Sequence, residues 1–320
     1  MTKSNGQDSL PSLHQTLLAL QDPERPIDSI RLDVLSDLNS AEQDRFRATW
    51  ATLAPPRRRL LVTAMVELSE NQVDAYFNEI YRWLIQDEDA YVRAAAIEGL
   101  WEDENVRLIA PLIRLLESDR ASEVRAAAAL SLGRFLLLGE LGQIDATLSE
   151  RVERALLEAF AAHEHDVSVR RRALESLAYS SSDALHPLIL NSYEDEDESM
   201  RISAIFAMGR SADSRWRDHV LAELVSSDNA MRFEAARASG ELELAEAVPD
   251  LIDLLDEDDV DLRDSAVWAL GRIGGPAARR ALEACCMATD EGLREAAEEA
   301  LAELEFLAGD VDLPAFFFEP

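Results

Sequence analysis

Apolar residues recur along this chain with a helical period, and short polar segments separate the helical stretches. Residues 259–275 (D-V-D-L-R-D-S-A-V-W-A-L-G-R-I-G-G) show the pattern most clearly. An aspartate opens the segment, and an arginine follows four residues later, directly after an apolar residue. Alanine and leucine then continue one apolar face until glycines end it. This order predicts an amphipathic helix with an aspartate N-cap.

The same motif returns at a nearly constant spacing. Seven arginines mark it, at intervals of 32, 45, 31, 31, 31 and 31 residues: Arg93, Arg125, Arg170, Arg201, Arg232, Arg263 and Arg294. An alanine follows each arginine by three positions, and a second, usually shorter helical stretch precedes each motif. A period near thirty residues is typical of stacked helix pairs that cannot bury their apolar faces alone. We therefore predict an all-α fold, a right-handed α-solenoid (superhelix) of about eight helix pairs.

Six of the seven units place an aspartate four residues before the arginine, where it can accept a backbone N–H and complement the helix dipole. The unit of Arg125 has Ala121 at that position and Asp119 further back. We expect a structural role for the pairs rather than a functional one. The predicted structural ladder consists of Asp89, Arg93, Asp166, Arg170, Asp197, Arg201, Asp228, Arg232, Asp259, Arg263, Asp290 and Arg294.

The prolines of the first helices (Pro111 and Pro249), the turn aspartates and the apolar-arginine pairs of the second helices resemble HEAT repeats. They resemble in particular the short repeats of phycobilisome-lyase-like HEAT proteins, and the resemblance covers residues 41–306. It implies that the aspartates and arginines form a ladder between adjacent repeats and that the second helices line the concave side. Because such repeats serve scaffolds, adaptors, inhibitors and a few enzymes, it implies no single activity.

The chain is expected to divide into three parts. Residues 1–40 form a disordered N-terminus and a helical cap, with short helices at 12–20 and 28–38. Residues 41–306 form the solenoid, with helices from 41 to 53 behind a Ser40–Gln43 capping box and from 73 to 86. The 45-residue interval indicates an insertion near 134–150, predicted as a loop between Leu138 and Ser149. Residues 307–320 form an acidic, aromatic tail, either a cap on the last helix pair or a docking peptide.

Charge limits the classes of partner. The 320 residues include 63 acidic and 31 basic side chains, a net charge of −32. This argues against nucleic-acid phosphates and anionic membranes as partners. A basic partner, or a solvated acidic convex face, fits better. No signal peptide or membrane span is predicted, and the two adjacent cysteines exclude a disulfide framework, so we expect a cytoplasmic protein.

No catalytic residue, cofactor or metal is predicted. His163 and His165 could bind a metal, but no second ligand cluster accompanies them. HEAT-type deoxyhypusine hydroxylases carry iron on several histidine–glutamate pairs, whereas this chain has one. We interpret Cys285–Cys286 as a small apolar pair. Phosphate-loop and nucleophile signatures are absent from the sequence.

One stripe of the motif helices suggests binding. The first, fifth and ninth residues after each motif arginine share a helix face. In the middle repeats this face collects arginines and aromatic residues, the types enriched at binding hot spots. Alternatively, each arginine pairs with a neighbouring acid and each ring packs between repeats. The candidate partner-binding residues of this concave stripe are Arg134, Arg171, Tyr179, Phe206, Arg210, Phe233, Arg237, Trp268 and Arg272.

The leading hypothesis is a non-catalytic scaffold or adaptor that binds a protein or peptide in its concave groove. Apolar anchoring would come from Phe206, Phe233 and Trp268, while the arginines of the same helices would hold acidic groups. Two alternatives remain open. The resemblance also allows a phycobilin-lyase-type enzyme or chaperone, in which tetrapyrrole propionates meet these arginines. The charge allows an acidic decoy that binds a basic protein. The oligomeric state is not predicted.

Overall fold

The computed structural model describes residues 12–72, 75–162 and 166–307, and within these ranges the regular structure is helical, without a β-strand. The α-helices are α1 Leu13–Gln21, α2 Ser40–Trp50, α3 Pro55–Asn71, α4 Asn78–Leu84, α5 Ala90–Gly99, α6 Ile109–Ser118, α7 Ser122–Glu140, α8 Ala146–Ala161, α9 Val167–Leu177, α10 Leu185–Tyr193, α11 Glu198–Arg210, α12 Arg217–Glu223, α13 Asn229–Glu241, α14 Val248–Leu254, α15 Val260–Ile273, α16 Gly275–Cys285 and α17 Glu291–Leu307. Helices α2–α17 follow one another as eight pairs, so the predicted all-α solenoid of about eight helix pairs is confirmed. No helix among these residues is long and apolar enough to cross a membrane.

The described residues divide into two compact units, one up to Ser176 and one from Leu177 onward. In the first unit, the motif helices α3, α5 and α7 pack on one another in sequence. In the second unit, α11, α13, α15 and α17 do the same, and α10, α12, α14 and α16 each pack on the motif helix that follows. In each unit these motif helices thus form a stack in which each one contacts the next.

The buried core residues recur with the same period as the motif. All seven alanines three positions after the motif arginines are fully buried: Ala96, Ala128, Ala173, Ala204, Ala235, Ala266 and Ala297. A methyl group at this position lets neighbouring helices approach closely. Ser239 stands where most other repeats have a core leucine, and its buried hydroxyl donates to the Ala235 carbonyl at 2.7 Å. The hydroxyl is therefore satisfied inside its own helix.

Three glycines one repeat apart lie in the last turns of α11, α13 and α15, where successive motif helices meet. A Cβ atom on Gly209 would lie 2.7 Å from the Cα of Ala238, and one on Gly240 would lie 2.9 Å from the Cα of Ala269. A Cβ on Gly271 would lie 3.0 Å from that of Ala300. Successive motif helices therefore pack backbone against backbone at these points.

The turn aspartates cap their helices. Each of the six accepts a backbone N–H two or three residues ahead, at 2.9–3.2 Å. Ala121 provides no such cap. The motif arginines reach backwards instead, and five of them donate Nη1 to the carbonyl six residues earlier: Arg93, Arg125, Arg201, Arg232 and Arg294. In these repeats both motif residues fix the turn between the paired helices.

Ion pairs between repeats are more varied than the ladder that the resemblance implies. Arg263 lies 3.0 Å from Asp290, and these two residues both belong to the predicted ladder. Arg93 and Arg232 instead reach acids outside it. Arg93 makes two hydrogen bonds to Asp119, of 2.7 and 2.8 Å, and Arg232 lies 3.2 Å from Glu257.

Near the N-terminus the structure departs from the predicted boundaries. The helix predicted over 28–38 is two 3-10 turns, Ile27–Ser29 and Leu32–Leu35, and the left-handed backbone of Asp37 (φ 53°) ends the helical path. The capping box is formed by Asn39 and Glu42, so α2 begins one residue earlier than expected.

The helix predicted over 73–86 is present only as α4. Ala75 and Phe77 are buried outside the helix, so the apolar pattern there reflects packing of an irregular segment.

The insertion near 134–150 lengthens helices rather than a loop. Helix α7 continues to Glu140, and α8 begins at Ala146 behind the capping side chain of Asp145. Gly142 adopts a left-handed φ of 67° in the short connection. Phe135 is fully buried, which explains why this part of the insertion stays helical and packed.

Candidate functional site

A groove of about 730 Å³ runs along the motif helices of the second unit. Five of the nine predicted stripe residues line it, from α11, α13 and α15. We call it the second-unit groove, and its charged and aromatic lining residues are Arg210, Phe233, Arg237, Glu241, Asp261, Asp264, Trp268, Arg272 and Glu303. The helical repeat thus brings side chains 31 residues apart in sequence to one surface.

Two further stripe residues lie beside the groove and support its arginines. The Arg210 guanidinium lies 5.4 Å from the Tyr179 ring centre and 5.7 Å from that of Phe206. Arg237 lies 5.8 Å from Phe206 and 5.9 Å from Phe233. These distances are in the range of cation–π attraction. Rings and guanidinium groups therefore alternate along α11 and α13.

The remaining two stripe residues, Arg134 and Arg171, belong to the first unit. Arg134 donates to the Trp101 carbonyl at 3.2 Å. Burial lowers the pKa of Arg134 to about 10, against the attraction of Asp103 and Glu104. Arg171 lies 3.9 Å from Glu175 on its own helix.

The groove arginines are ion-paired within the protein. Residues one repeat apart alternate in charge along one edge of the groove, in the order Arg210, Glu241, Arg272 and Glu303. Arg210 lies 2.8 Å from Glu241, and Arg272 lies 3.5 Å from Glu303 and 3.7 Å from Glu243. Arg237 lies 3.8 Å from Glu234 and 4.0 Å from Glu241. Pairing with neighbouring acids, the alternative left open by the sequence, is therefore present for all three arginines.

Glu241 stands at the centre of this arrangement. Burial raises the pKa of its carboxyl, while Arg210, Arg237 and Arg272 act in the opposite direction. A Cβ on Gly209 would lie 2.9 Å from Glu241 Oε2, so the glycine makes room for the carboxylate. This half-buried carboxylate therefore stabilises the positions of the three nearby guanidinium groups.

The other part of the groove is open and acidic. Trp268 is 38% exposed, and its ring lies against α13, where a Cβ on Gly240 would come within 2.6 Å of Cζ3. Asp261 and Asp264 are exposed, and no arginine among the described residues lies within ion-pair distance of either. Partial desolvation raises the pKa of Asp264, the charge of Arg263 opposes this, and the charges of Asp261 and Asp290 add to it.

Asp261 was not among the candidate residues predicted from the sequence. Arg210, Glu241, Arg272 and Glu303 all occupy the ninth position of the stripe, but they were not predicted to form a row of alternating charge. Asp261, Asp264 and Trp268 share one face of α15, and this spacing could have placed Asp261 in the groove.

The cysteines that the sequence analysis considered do not line the second-unit groove. Burial raises the pKa of both the Cys285 and the Cys286 thiol. His163 and His165 lie outside the described residues, as does the aromatic tail, so their predicted roles stay predictions.

The first unit contains a second groove, of about 1000 Å³, between residues 23–33 and helix α3. Sequence analysis did not predict it. Leu60 is 60% exposed there, but Arg57 donates to the carbonyls of Leu20 and Arg25, and Arg31 pairs with Asp33 at 2.6 Å. These arginines hold the backbone and side chains of residues 20–33.

Comparisons with known proteins agree with the repeat. A family model described as HEAT repeats matches residues 78–178 and 217–302, together more than half of the chain. The match is to HEAT repeats in general and does not single out phycobilisome-lyase-like proteins. No curated protein matches the chain significantly.

Several solved structures are similar. The Escherichia coli protein YibA is 17% identical, with 95% of this chain and 99% of that chain covered and a TM-score of 0.43. Human deoxyhypusine hydroxylase in complex with glycerol is 18% identical, with coverage of 92% and 96% and a TM-score of 0.37. Importin beta is 16% identical, with coverage of 92% and 45% and a TM-score of 0.45.

Proposed function

The chain belongs to the HEAT-repeat family, and from this premise we propose that it is a non-catalytic scaffold that holds a segment of another protein in the second-unit groove. The observation that carries the proposal is the partly exposed Trp268, which lines that groove together with the half-buried Phe233. Aromatic residues make up only 6% of the chain. An aromatic ring placed on an open surface rather than in the core therefore favours a role in binding.

The groove is suited to anchoring a partner. Trp268 is held by α15 beneath it and by Gly240 at its side, so little side-chain entropy is lost when a partner covers the ring. Tryptophan is among the residues most enriched at binding hot spots. The arginines would form a fixed side of the groove, because their guanidinium groups are already paired with Glu241 and Glu303.

The proposal is tested by comparing two exposed tryptophans. Trp268→Ala removes the proposed anchor, whereas Trp101→Ala removes a 55% exposed ring from the first unit. We expect affinity purification from the cell of origin, quantified by mass spectrometry, to recover at least tenfold less of the main partner with Trp268→Ala. Trp101→Ala should recover the wild-type amount.

Thermal unfolding of both variants controls for loss of fold. Unchanged recovery with Trp268→Ala, or an equal loss with both variants, would show that the groove is not the binding surface.

A further inference from the structure

We propose that the second-unit groove takes a cationic segment of the partner, with an arginine or lysine side chain seated between Trp268 and the carboxylates of Asp261 and Asp264. This inference rests on the proposed function and specifies the chemistry of the partner. It concerns the open part of the groove, where the exposed groups are an indole ring and two acids.

The three residues share one face of α15. Asp261 and Asp264 are three residues apart, and Trp268 follows Asp264 by four, so the two carboxylates lie on the turns that precede the ring. All three line the same groove together with Phe233 from α13. A side chain that enters between the two helices therefore meets aromatic and carboxylate groups together.

Charge distinguishes a cationic occupant from an acidic one. Arg210, Arg237 and Arg272 all have a glutamate at 4.0 Å or closer, so a partner carboxylate would have to displace an existing ion pair. No arginine among the described residues pairs with Asp261 or Asp264. Partial desolvation raises the pKa of Asp264, and the charges of Asp261 and Asp290 add to this against the attraction of Arg263. A partner cation would be attracted to both carboxylates without breaking an ion pair.

The indole ring of Trp268 and the two carboxylates both favour a cationic occupant. A guanidinium or ammonium group is attracted to the face of a tryptophan and to nearby carboxylates, and a guanidinium can also donate paired hydrogen bonds. At longer range, the net charge of −32 attracts a basic segment to the whole chain. Any test must therefore separate the local site from this general attraction.

The experiment measures binding of three fluorescent nonapeptides to the full chain by fluorescence anisotropy at about physiological ionic strength. The peptides alternate serine with arginine, glutamate or glutamine. We expect only the arginine peptide to bind. The double variant Asp261→Asn with Asp264→Asn should weaken its binding at least tenfold, and Asp264→Asn alone, which changes one exposed side chain, at least threefold.

A matched pair of variants controls for overall charge. Asp253 and Asp256 are exposed, lie outside the groove and belong to the same unit, so Asp253→Asn with Asp256→Asn removes the same charge. This control should change the affinity less than twofold. Trp268→Leu keeps an apolar side chain without the aromatic face and should weaken binding severalfold.

Three results would overturn the inference. They are an equal loss in the groove and control variants, binding of the glutamate peptide to the groove, and no binding of the arginine peptide. None of these bears on whether the native partner requires Trp268. The proposed function would therefore survive them if Trp268→Ala still lost the native partner.

Discussion

At the scale of single residues, an aspartate caps six of the seven motif helices, and Asp228 illustrates this role. Its carboxylate accepts the Met231 N–H at 2.9 Å, while Arg232 donates to the Ser226 carbonyl and lies near Glu257. Removal of the carboxylate therefore leaves the contacts of Arg232 in place.

We predict that Asp228→Ala lowers the free energy of unfolding by about 1 kcal/mol, the usual contribution of an N-cap. Asp228→Asn should lower it far less, because asparagine accepts the same bond. Urea unfolding followed by circular dichroism measures both. Equal losses for the two variants would mean that charge, rather than capping, is responsible.

The pair of Arg93 and Asp119 should give the first unit a pH dependence. Burial alone would raise the pKa of Asp119, but the hydrogen bonds from Arg93 and from the Ala121 N–H outweigh it, and the pKa lies below its ordinary value. A carboxyl whose pKa is lower in the folded state stabilises the fold above its unfolded pKa of about 3.9. That contribution is lost as the pH falls through the folded-state value.

Asp119→Asn should accordingly lower the free energy of unfolding by about 3 kcal/mol at neutral pH, since it leaves a half-buried arginine without its partner. The difference from wild type should shrink as the pH falls below about 4. Urea unfolding at a series of pH values measures this, with Asp253→Asn as an exposed control. A difference that stays constant down to pH 2 would contradict the pairing.

The capping aspartates could be predicted from the sequence because a cap involves only neighbouring residues. The pairing of Arg93 with Asp119 could not, because the partner lies outside the motif and its position depends on the packing of the next repeat.

At the scale of helices, the glycines decide how closely successive motif helices pack. Gly240→Ala would place a Cβ atom 2.9 Å from the Cα of Ala269 and against the Trp268 ring. Because the Ala269 backbone cannot rotate away, we predict a loss of about 2 kcal/mol in the free energy of unfolding, as is usual for overpacked sites.

Gly292→Ala is the matched control for this prediction. It lies in the first turn of α17, where a Cβ would meet only Asp290 Oδ1 at 3.6 Å, so it should be neutral or slightly stabilising. Chemical unfolding of both variants measures the difference. If Gly240→Ala were as stable as wild type, α13 and α15 would not pack as closely as described.

Helix order was predictable because apolar residues repeat every three to four positions regardless of partners. The segments that were predicted wrongly are those in which apolar residues pack without a helix, as at Phe77, or in which a left-handed residue such as Asp37 interrupts the pattern. The loop predicted between Leu138 and Ser149 is shorter in the structure, because α7 continues to Glu140 and the side chain of Asp145 caps α8 from Ala146.

At the scale of the molecule, the 31-residue period does two things. It repeats the buried alanines that stack the motif helices, and it aligns exposed side chains into rows that cross several helices. Side chains in the row from Arg210 to Glu303 form ion pairs with one another. Asp261, Asp264 and Trp268 instead remain exposed and without an ion pair among the described residues. The sequence showed which residues share a face. It did not show which arginines were already paired, because pairing depends on distances between repeats.

The claim that a partner occupies the second-unit groove is tested most directly by photo-crosslinking in the cell of origin. Trp268 is replaced by the photoreactive residue p-benzoylphenylalanine, and Trp101 is replaced in a parallel control. We predict a covalent adduct at position 268, mapped by mass spectrometry to one segment of one partner, and none at position 101. Adducts at position 101 without any at position 268 would contradict it.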